Sequence, residues 1–157
     1  MPAITAILHT HNDSPRLGRA LETLRSCDEI VIVDHGSRDD TARIAREYGA
    51  RMVGARAAGT AGRLARNPWI FCLRPTESIS EALEAALFEW KRYEVGDVAQ
   101  VRACSVFVRE QADGVWSEGP PETRLVPREW DEWSGDLPKE MRASRLIEGD
   151  LLRFREP

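Results

Sequence analysis

The sequence lacks long apolar runs, and none approaches the roughly 20 residues that a helix needs to cross a bilayer. Its amino terminus also lacks the basic and then apolar layout of a secretory signal peptide. With 22 basic and 26 acidic residues the formal net charge is -4, which offers no basic surface for nucleic acid or acidic lipid. We therefore predict a cytoplasmic protein that binds no nucleic acid and, if it acts at the inner membrane face, does so peripherally.

Cysteine is also scarce. The three cysteines, Cys27, Cys72 and Cys104, are odd in number, far apart and set among apolar residues. This pattern is typical of reduced thiols packed in the core of a cytosolic protein rather than of a disulfide framework.

Length and composition fit one globular domain. The 157 residues are 42% hydrophobic and 31% charged, and no internal repeat, low-complexity tract or linker divides them. We predict a single domain over residues 1–157. The sequence does not determine the oligomeric state, although five tryptophans leave room for an apolar partner surface.

The amino-terminal half alternates short apolar strands with amphipathic helices. Strands are predicted over residues 3–8, 29–33, 51–53 and 69–73, and proline in Asp13-Ser14-Pro15 favours a helix start. Further helices are predicted to open with capping boxes at Ser37–Asp40 and Ser78–Glu81. This order predicts an α/β fold whose mixed, mainly parallel sheet is flanked by helices.

Two further segments are less regular. Residues 54–67 are rich in alanine, glycine and arginine, which predicts a loop with a single helical turn. In the carboxyl half a long strand is predicted over 98–108, a turn at 111–114 and an antiparallel return at 123–126.

Polar side chains cluster where the first two strands end. The first strand runs into His9-Thr10-His11-Asn12-Asp13 and the second into Asp34-His35-Gly36-Ser37. In open parallel sheets, ligands bind outside the carboxyl ends of the strands. A carboxylate at Asp34 could accept a hydrogen bond from a base such as uracil, and the following helix could face a phosphate.

These two turns resemble those of the inverting family-2 glycosyltransferases with the GT-A fold. Residues 10–13 stand where that family usually has Thr-Lys-Asn-Glu, and residues 33–41 where it has Val-Asp-(Asp or Ser)-Gly-Ser-x-Asp-x-Thr. The resemblance implies a Rossmann-like GT-A domain that binds a nucleotide-diphosphate sugar and transfers the sugar, with inversion, to a glycan or lipid acceptor. It also implies a nucleotide-binding site that contains Thr10, Asn12, Asp34 and Gly36. The plainer alternative is that Asp34, Ser37 and Asp40 only cap a helix. Asp34, however, lies too early in the turn for helix capping to explain its presence.

The metal-binding carboxylates of that family are replaced. The family has two aspartates after its fourth strand, where this chain has Arg74 and Thr76 followed by Glu77. A divalent cation needs hard oxygen ligands, so we predict no metal cofactor. Either Arg74 faces the diphosphate directly or the site has decayed, with Glu77 and Ser78 simply starting a helix. Decay is the favoured interpretation, and it makes a pseudoenzyme conceivable.

The carboxyl third shows a weaker resemblance to the lipopolysaccharide-core glucosyltransferase branch of the family. Residues 122–128, Trp133-Ser134-Gly135 and Lys139-Glu140 follow the pattern of that branch, with Lys139 in place of a histidine. The resemblance makes Glu140 the candidate general base that deprotonates an acceptor hydroxyl. The plainer alternative is an exposed glutamate in an acidic stretch.

Two other functions remain open. One is a non-catalytic accessory or nucleotide-binding module of the same fold. The other is a metal-dependent hydrolase, because His9, His11 and His35 with Asp13 or Asp34 could ligate a transition metal. Loop histidines without a metal explain the same pattern.

Overall fold

The computed structural model describes residues 2–93 and 101–155. The strands are β1 Ile4–Thr10, β2 Glu29–Asp34, β3 Arg51–Gly54, β4 Trp69–Cys72, β5 Glu77–Ile79, β6 Cys104–Ala112, β7 Val115–Glu118, β8 Glu122–Pro127, β9 Trp133–Ser134, β10 Leu137–Pro138 and β11 Arg145–Phe154. The helices are α1 Ser14–Glu22, α2 Thr41–Glu47, α3 Ala55–Ala58, α4 Ala61–Leu64 and α5 Glu81–Trp90.

A single large sheet organises the fold in the order β3-β2-β1-β4-β8-β6-β11-β5, with β7 paired to the outer part of β6. Neighbours are parallel from β3 to β4 and between β6 and β11. The strand β8 is antiparallel to both β4 and β6, and β5 is antiparallel to β11. The predicted mixed α/β sheet is confirmed, and its antiparallel part is larger than one returning strand.

Most predicted elements are present with shifted ends. The strand predicted over 98–108 begins at Cys104 in the structure, and residues 94–100 lie outside the described residues. The predicted single turn within 54–67 is two short helices, α3 and α4. Among the described residues, no helix is both long and apolar enough to cross a membrane.

Both predicted capping boxes are wrong. Helix α2 begins at Thr41, and its N-cap residue Asp40 makes no side-chain cap bond; instead the Asp39 Oδ1 accepts the Thr41 N–H at 3.0 Å. Helix α5 begins at Glu81, and the Ser80 hydroxyl oxygen accepts the Leu83 N–H at 3.2 Å. In each case the Ser-x-x-acid spacing is present in the sequence, but the side chain that bonds to the first turn is Asp39 or Ser80 rather than Ser37 or Ser78.

The core lies on both faces of the sheet. Helices α1 and α5 cover one face through Leu17, Leu21, Leu83 and Leu87. The other face is smaller and is packed by α3, α4 and the segment from Trp130 to Met141. The three cysteines are unpaired, with Cys72 and Cys104 buried in these clusters, as predicted.

Candidate functional site

The two predicted nucleotide-binding turns are bonded to each other. Parallel pairing of β1 with β2 sets Thr10 level with Asp34, so both strands end at the same edge. The Asn12 N–H donates to the Ser37 hydroxyl at 2.8 Å, and the Asn12 Oδ1 accepts the Arg38 N–H at 2.8 Å. Asn12 has a φ of 52°, a left-handed backbone that asparagine tolerates better than most residues. The sheet register therefore builds one rigid double turn.

Asp34 caps its own turn rather than helix α2. Its Oδ2 accepts the Ser37 N–H at 3.1 Å and its Oδ1 accepts the Ser37 hydroxyl at 2.5 Å. Asp34 does not cap helix α2, as its early place in the turn predicted, and its carboxylate has further lone pairs for a ligand. The Thr10 hydroxyl donates to Asp13 at 2.8 Å, and Gly36 has a φ of 79° with open space where a side chain would lie. Nucleotide binding by these residues stays a prediction.

The three histidines meet at this edge. The Nδ1 of His9 lies 2.9 Å from the Nε2 of His35, and the Nδ1 of His11 lies 2.6 Å from the carbonyl oxygen of His35. Burial lowers the pKa of His9; the Asp136 charge raises it and His35 lowers it further. Residues 2–93 and 101–155 contain no group of three histidine, cysteine or acidic side chains arranged to hold a metal.

The segment after β4 is built around a buried ion pair. Glu77 and Arg124 are both fully buried, and the Arg124 Nη1 and Nη2 donate to the two Glu77 oxygens at 2.8 and 2.7 Å. Arg153 also donates to Glu77 at 2.9 Å, and Glu122 bridges both arginines. The interpretation that Glu77 starts a helix is wrong, because Glu77 lies in β5 and joins it to β8 and β11.

This network fixes the charge of its members. Burial alone would raise the pKa of Glu77, but hydrogen bonds and charge from Arg124 hold it below its ordinary value. Burial acts against protonated Arg124 as well, and Glu77 and Glu122 nevertheless raise its pKa. Glu77 is thus an ionised carboxylate with no capacity left for a cation.

The residues at the family's metal position do not fit a divalent cation. Arg74 is exposed, and its local bonds come from its backbone: its N–H donates to the Glu77 carboxylate at 2.8 Å and its carbonyl accepts the Glu77 N–H at 2.9 Å. Thr76 contributes its carbonyl, which accepts the Phe154 N–H at 2.9 Å. Guanidinium and hydroxyl groups offer none of the carboxylate oxygens that Mg²⁺ or Mn²⁺ prefers.

Glu140, the predicted general base, lies against β8. Its Oε2 accepts the Thr123 N–H at 2.9 Å and lies 3.2 Å from the Thr123 hydroxyl. It borders a cavity shared with Ser105, Ser144 and Leu146. That cavity does not include His9, so the structure does not bring Glu140 together with the histidine edge; its role as base stays a prediction.

A second cavity opens beside His9 and has a volume of about 500 Å³. We call it the β1–β4 cavity. Its floor is formed by Ile7, His9 and Cys72, one wall by residues 59–62, and the other wall by residues from 128–131 together with Trp133, Gly135 and Asp136. The walls approach closely at Gly62, where an added Cβ would lie 2.5 Å from the Arg128 carbonyl oxygen. Glycine is therefore needed where the α3–α4 segment meets the segment after β8.

Sequence reasoning singled out His9, Trp133 and Gly135 but missed the cavity that they line. Trp130 and Asp136 carry no motif, and the remaining signal was the density of tryptophan and acids over residues 129–136. None of the predicted residues Thr10, Asn12, Asp34, Gly36 and Arg74 lies among the residues of the described chain that line the cavity. His9 connects the two regions through its bond to His35.

Comparison with known proteins was made for sequence and structure. A family model described as Glycosyl transferase family 2 matches residues 5–73. An uncharacterized glycosyltransferase of Rickettsia felis is 32% identical over 91 residues, covering 54% of this chain and 32% of that protein. The lipopolysaccharide core biosynthesis glycosyltransferase LpsC of Rhizobium meliloti is 32% identical over 97 residues, covering 55% of this chain and 36% of that protein. The matched region thus spans about a third of these curated relatives.

Solved structures show the same fold. Glucosyl-3-phosphoglycerate synthase from Mycobacterium tuberculosis, in complex with Mn²⁺, UDP and glucosyl-3-phosphoglycerate, superposes with a TM-score of 0.53 at 18% identity and covers 69% of this chain and 44% of that one. A mycobacterial protein of known structure superposes with a TM-score of 0.56 at 17% identity, covering 82% of this chain and 54% of that one. At these identities the similarity establishes the fold and no more.

Proposed function

Because the chain belongs to glycosyltransferase family 2, as its two turns predicted, we propose that it binds a nucleotide-diphosphate sugar at the carboxyl edge of β1, β2 and β4 without a divalent cation. The observation that carries the proposal is the rigid double turn beside the β1–β4 cavity, which sets a polar edge next to a space large enough for a sugar.

The nucleoside is proposed to bind at the double turn. Asp34 keeps lone pairs that can accept from a base, and the space above Gly36 is open. Thr10 and Asn12 hold the turn in place through Asp13, Ser37 and Arg38. A site whose geometry is already fixed loses little conformational entropy when the ligand binds.

Arg74 is proposed to meet the diphosphate. Its guanidinium forms no ion pair with any of the residues that the structure describes, and its backbone is fixed by Glu77. Arginine binds phosphate oxygens through paired, charge-assisted hydrogen bonds. One arginine supplies less charge than a divalent ion, so we expect weaker stabilisation of the leaving diphosphate and a slow transfer.

The proposed reaction is transfer of the sugar to a glycan or lipid acceptor with inversion. An acceptor hydroxyl attacks the anomeric carbon on the face opposite the diphosphate and loses its proton to a carboxylate. The nucleoside diphosphate departs with the bonding electrons. A non-catalytic nucleotide-binding module of the same fold would bind the nucleotide but would not transfer the sugar.

Calorimetric titration with UDP and UDP-glucose, in Mn²⁺ and again in EDTA, tests the binding step. We expect equal affinity in both media and a loss of about tenfold or more in Arg74→Met, since a hydrogen bond between charged groups contributes about 1.5–3 kcal/mol. Arg92→Met is the matched control, because Arg92 is an exposed arginine that lies 3.7 Å from Glu89, outside this edge.

The contribution of Asp34 needs a control for the turn itself. Asp34→Asn removes the charge and is expected to weaken UDP binding. Ser37→Ala removes the partner of Asp34 and Asn12 but keeps the carboxylate, so it reports the cost of loosening the turn. Binding that requires Mn²⁺ would refute the role of Arg74. Binding of UDP without turnover of UDP-glucose would favour the accessory module, and no nucleotide binding would refute the proposal.

A further inference from the structure

The β1–β4 cavity has an unusual balance of side chains. Two tryptophans, Trp130 and Trp133, line it together with three acids, Glu129, Asp131 and Asp136. Arg128 is the one basic side chain on its lining within the described residues. The cavity therefore joins aromatic surface to an excess of negative charge.

The two indoles are fixed in place. The Trp130 Nε1 donates to the Glu132 carbonyl at 2.6 Å, and the Trp133 Nε1 donates to the Trp130 carbonyl at 2.9 Å. Both rings also pack against the smaller core cluster. Because their N–H groups are already satisfied, the rings offer the cavity only carbon surface, which suits the C–H face of a sugar or a cationic group.

The three carboxylates are free to act on a ligand. Within residues 2–93 and 101–155, none of Glu129, Asp131 and Asp136 forms an ion pair shorter than 4.0 Å. The floor does not compensate their charge, because burial lowers the pKa of His9 and so favours the neutral imidazole at pH 7. A phosphate group in this cavity would meet an excess of like charge, because three acids and one arginine line it.

Asp136 is the acid of this lining whose charge acts on the residues of the floor. The charge of Asp136 acts on His9 in β1 and on Cys72 in β4, and both residues line the cavity. Burial raises the pKa of Cys72 to about 12, so the neighbouring floor is uncharged. Asp136 and His9 line the same cavity, and the Nδ1 of His9 lies 2.9 Å from the Nε2 of His35 at the edge where the donor is proposed to bind.

We propose that the β1–β4 cavity binds the acceptor as an uncharged or amine-bearing saccharide and discriminates against phosphorylated sugars, with Asp136 accepting the reacting hydroxyl. This rests on the proposed transferase function. In transfer, the acceptor oxygen forms its bond to the anomeric carbon, its proton moves to the Asp136 carboxylate, and the bond to the diphosphate breaks with both electrons leaving on the nucleotide. Asp136 then takes the role that the sequence assigned to Glu140.

Binding of glucosamine, glucose and glucose 6-phosphate to the whole chain, with UDP present, tests the charge preference. Tryptophan fluorescence and saturation-transfer NMR measure dissociation constants into the millimolar range. We expect glucosamine to bind at least as tightly as glucose, and glucose 6-phosphate to bind at least about tenfold more weakly than glucose, with the difference shrinking at high salt.

Two variants assign the preference to the cavity. Asp136→Asn is expected to weaken glucosamine binding by about threefold or more. It is also expected to reduce the difference between the dissociation constants of glucose and glucose 6-phosphate. Glu118→Gln, which removes an exposed acid on β7 away from the cavity, is expected to leave all three affinities unchanged. Circular dichroism melts confirm that both variants are folded.

Several results would overturn the inference. Glucose 6-phosphate binding as tightly as glucose would show that the acids do not face the ligand. Binding of none of the three sugars, with UDP binding intact, would refute the saccharide site and leave the proposed nucleotide function standing. If the unaltered protein does not bind UDP, the proposed function itself is refuted.

Discussion

Replacing Arg124 by methionine tests whether the buried ion network holds the fold together. Methionine keeps much of the side-chain length but removes the five hydrogen bonds that Arg124 makes to Glu77, Cys72 and Glu122 at 2.7–3.3 Å. The Glu77 carboxylate stays buried, and its remaining partners are Arg153 and the Arg74 N–H.

The expected cost is about 3 kcal/mol in the free energy of unfolding. Removing one member of a buried pair typically costs about 3–5 kcal/mol, because the other charge is left without compensation. The lower end applies here because Arg153 still donates to Glu77 at 2.9 Å. Adding Glu77→Met removes the stranded charge, so the double variant should lose at least about 1 kcal/mol less than the sum of the single variants.

Urea unfolding followed by circular dichroism at pH 7 measures these differences. Arg43→Met is the control, because its ion pairs with Asp40 and Glu47 are exposed and such pairs contribute about 1 kcal/mol or less. The reasoning fails if Arg124→Met costs no more than this control, or if the costs of Arg124→Met and Glu77→Met simply add.

The same network predicts the acid limb of stability. The pKa of Glu77 is held below its ordinary value of 4.5, so the folded protein binds this proton less tightly than the unfolded chain does. The stabilisation is therefore complete above the ordinary value and is lost as the pH falls below it towards the folded pKa. Glu77→Gln should remove this dependence, and unfolding free energies measured between pH 3 and 7 would contradict the argument if the two proteins fell in parallel.

Three further predictions concern other sites. Ser80→Ala loses the cap bond to Leu83 and the bond from the Asp150 N–H at 3.1 Å, so it should cost about 1–2 kcal/mol in urea unfolding. Gly149→Ala should cost about 3 kcal/mol or more in the same assay, because Gly149 has a φ of 101° and a Cβ would overlap the Leu83 backbone. NMR titration should give His9 a pKa below 6.5. Because the folded pKa is lowered, neutral His9 stabilises the fold fully above pH 6.5, and this contribution is lost as the pH falls from 6.5 through the folded pKa.

The order of strands and helices over residues 4–54 could be predicted because the sequence pattern of each element is local. Apolar runs such as Ile4–Leu8 are buried along their whole length, which is the pattern of a strand covered on both faces. The caps were less predictable. The Ser37 hydroxyl has two partners, Asp34 and Asn12, and the second lies 25 residues away across the sheet.

The cavity and the ion network could not be predicted from the sequence, because both depend on contacts between distant segments. Glu77 meets Arg124 across 47 residues, and the β1–β4 cavity closes only where residues 59–62 touch Arg128. Local patterns carry no information on which distant segments fold together, and Glu77 therefore resembled the start of a helix. The double turn could be predicted from the resemblance to a known family, because each of its two motifs is a short continuous run of residues at the end of a strand.

Positions 74 and 76 separate the fold from its chemistry. Among the described residues, Arg74 supports the structure through its backbone N–H and carbonyl, which both bond to Glu77, and Thr76 through its carbonyl, which accepts the Phe154 N–H. Any residue other than proline supplies both backbone groups. Glu77 is different, since its side chain joins β5 to β8 and β11. The side chains at positions 74 and 76 can therefore differ from the aspartates of the family without strain, whereas a change at Glu77 would break the network that joins three strands.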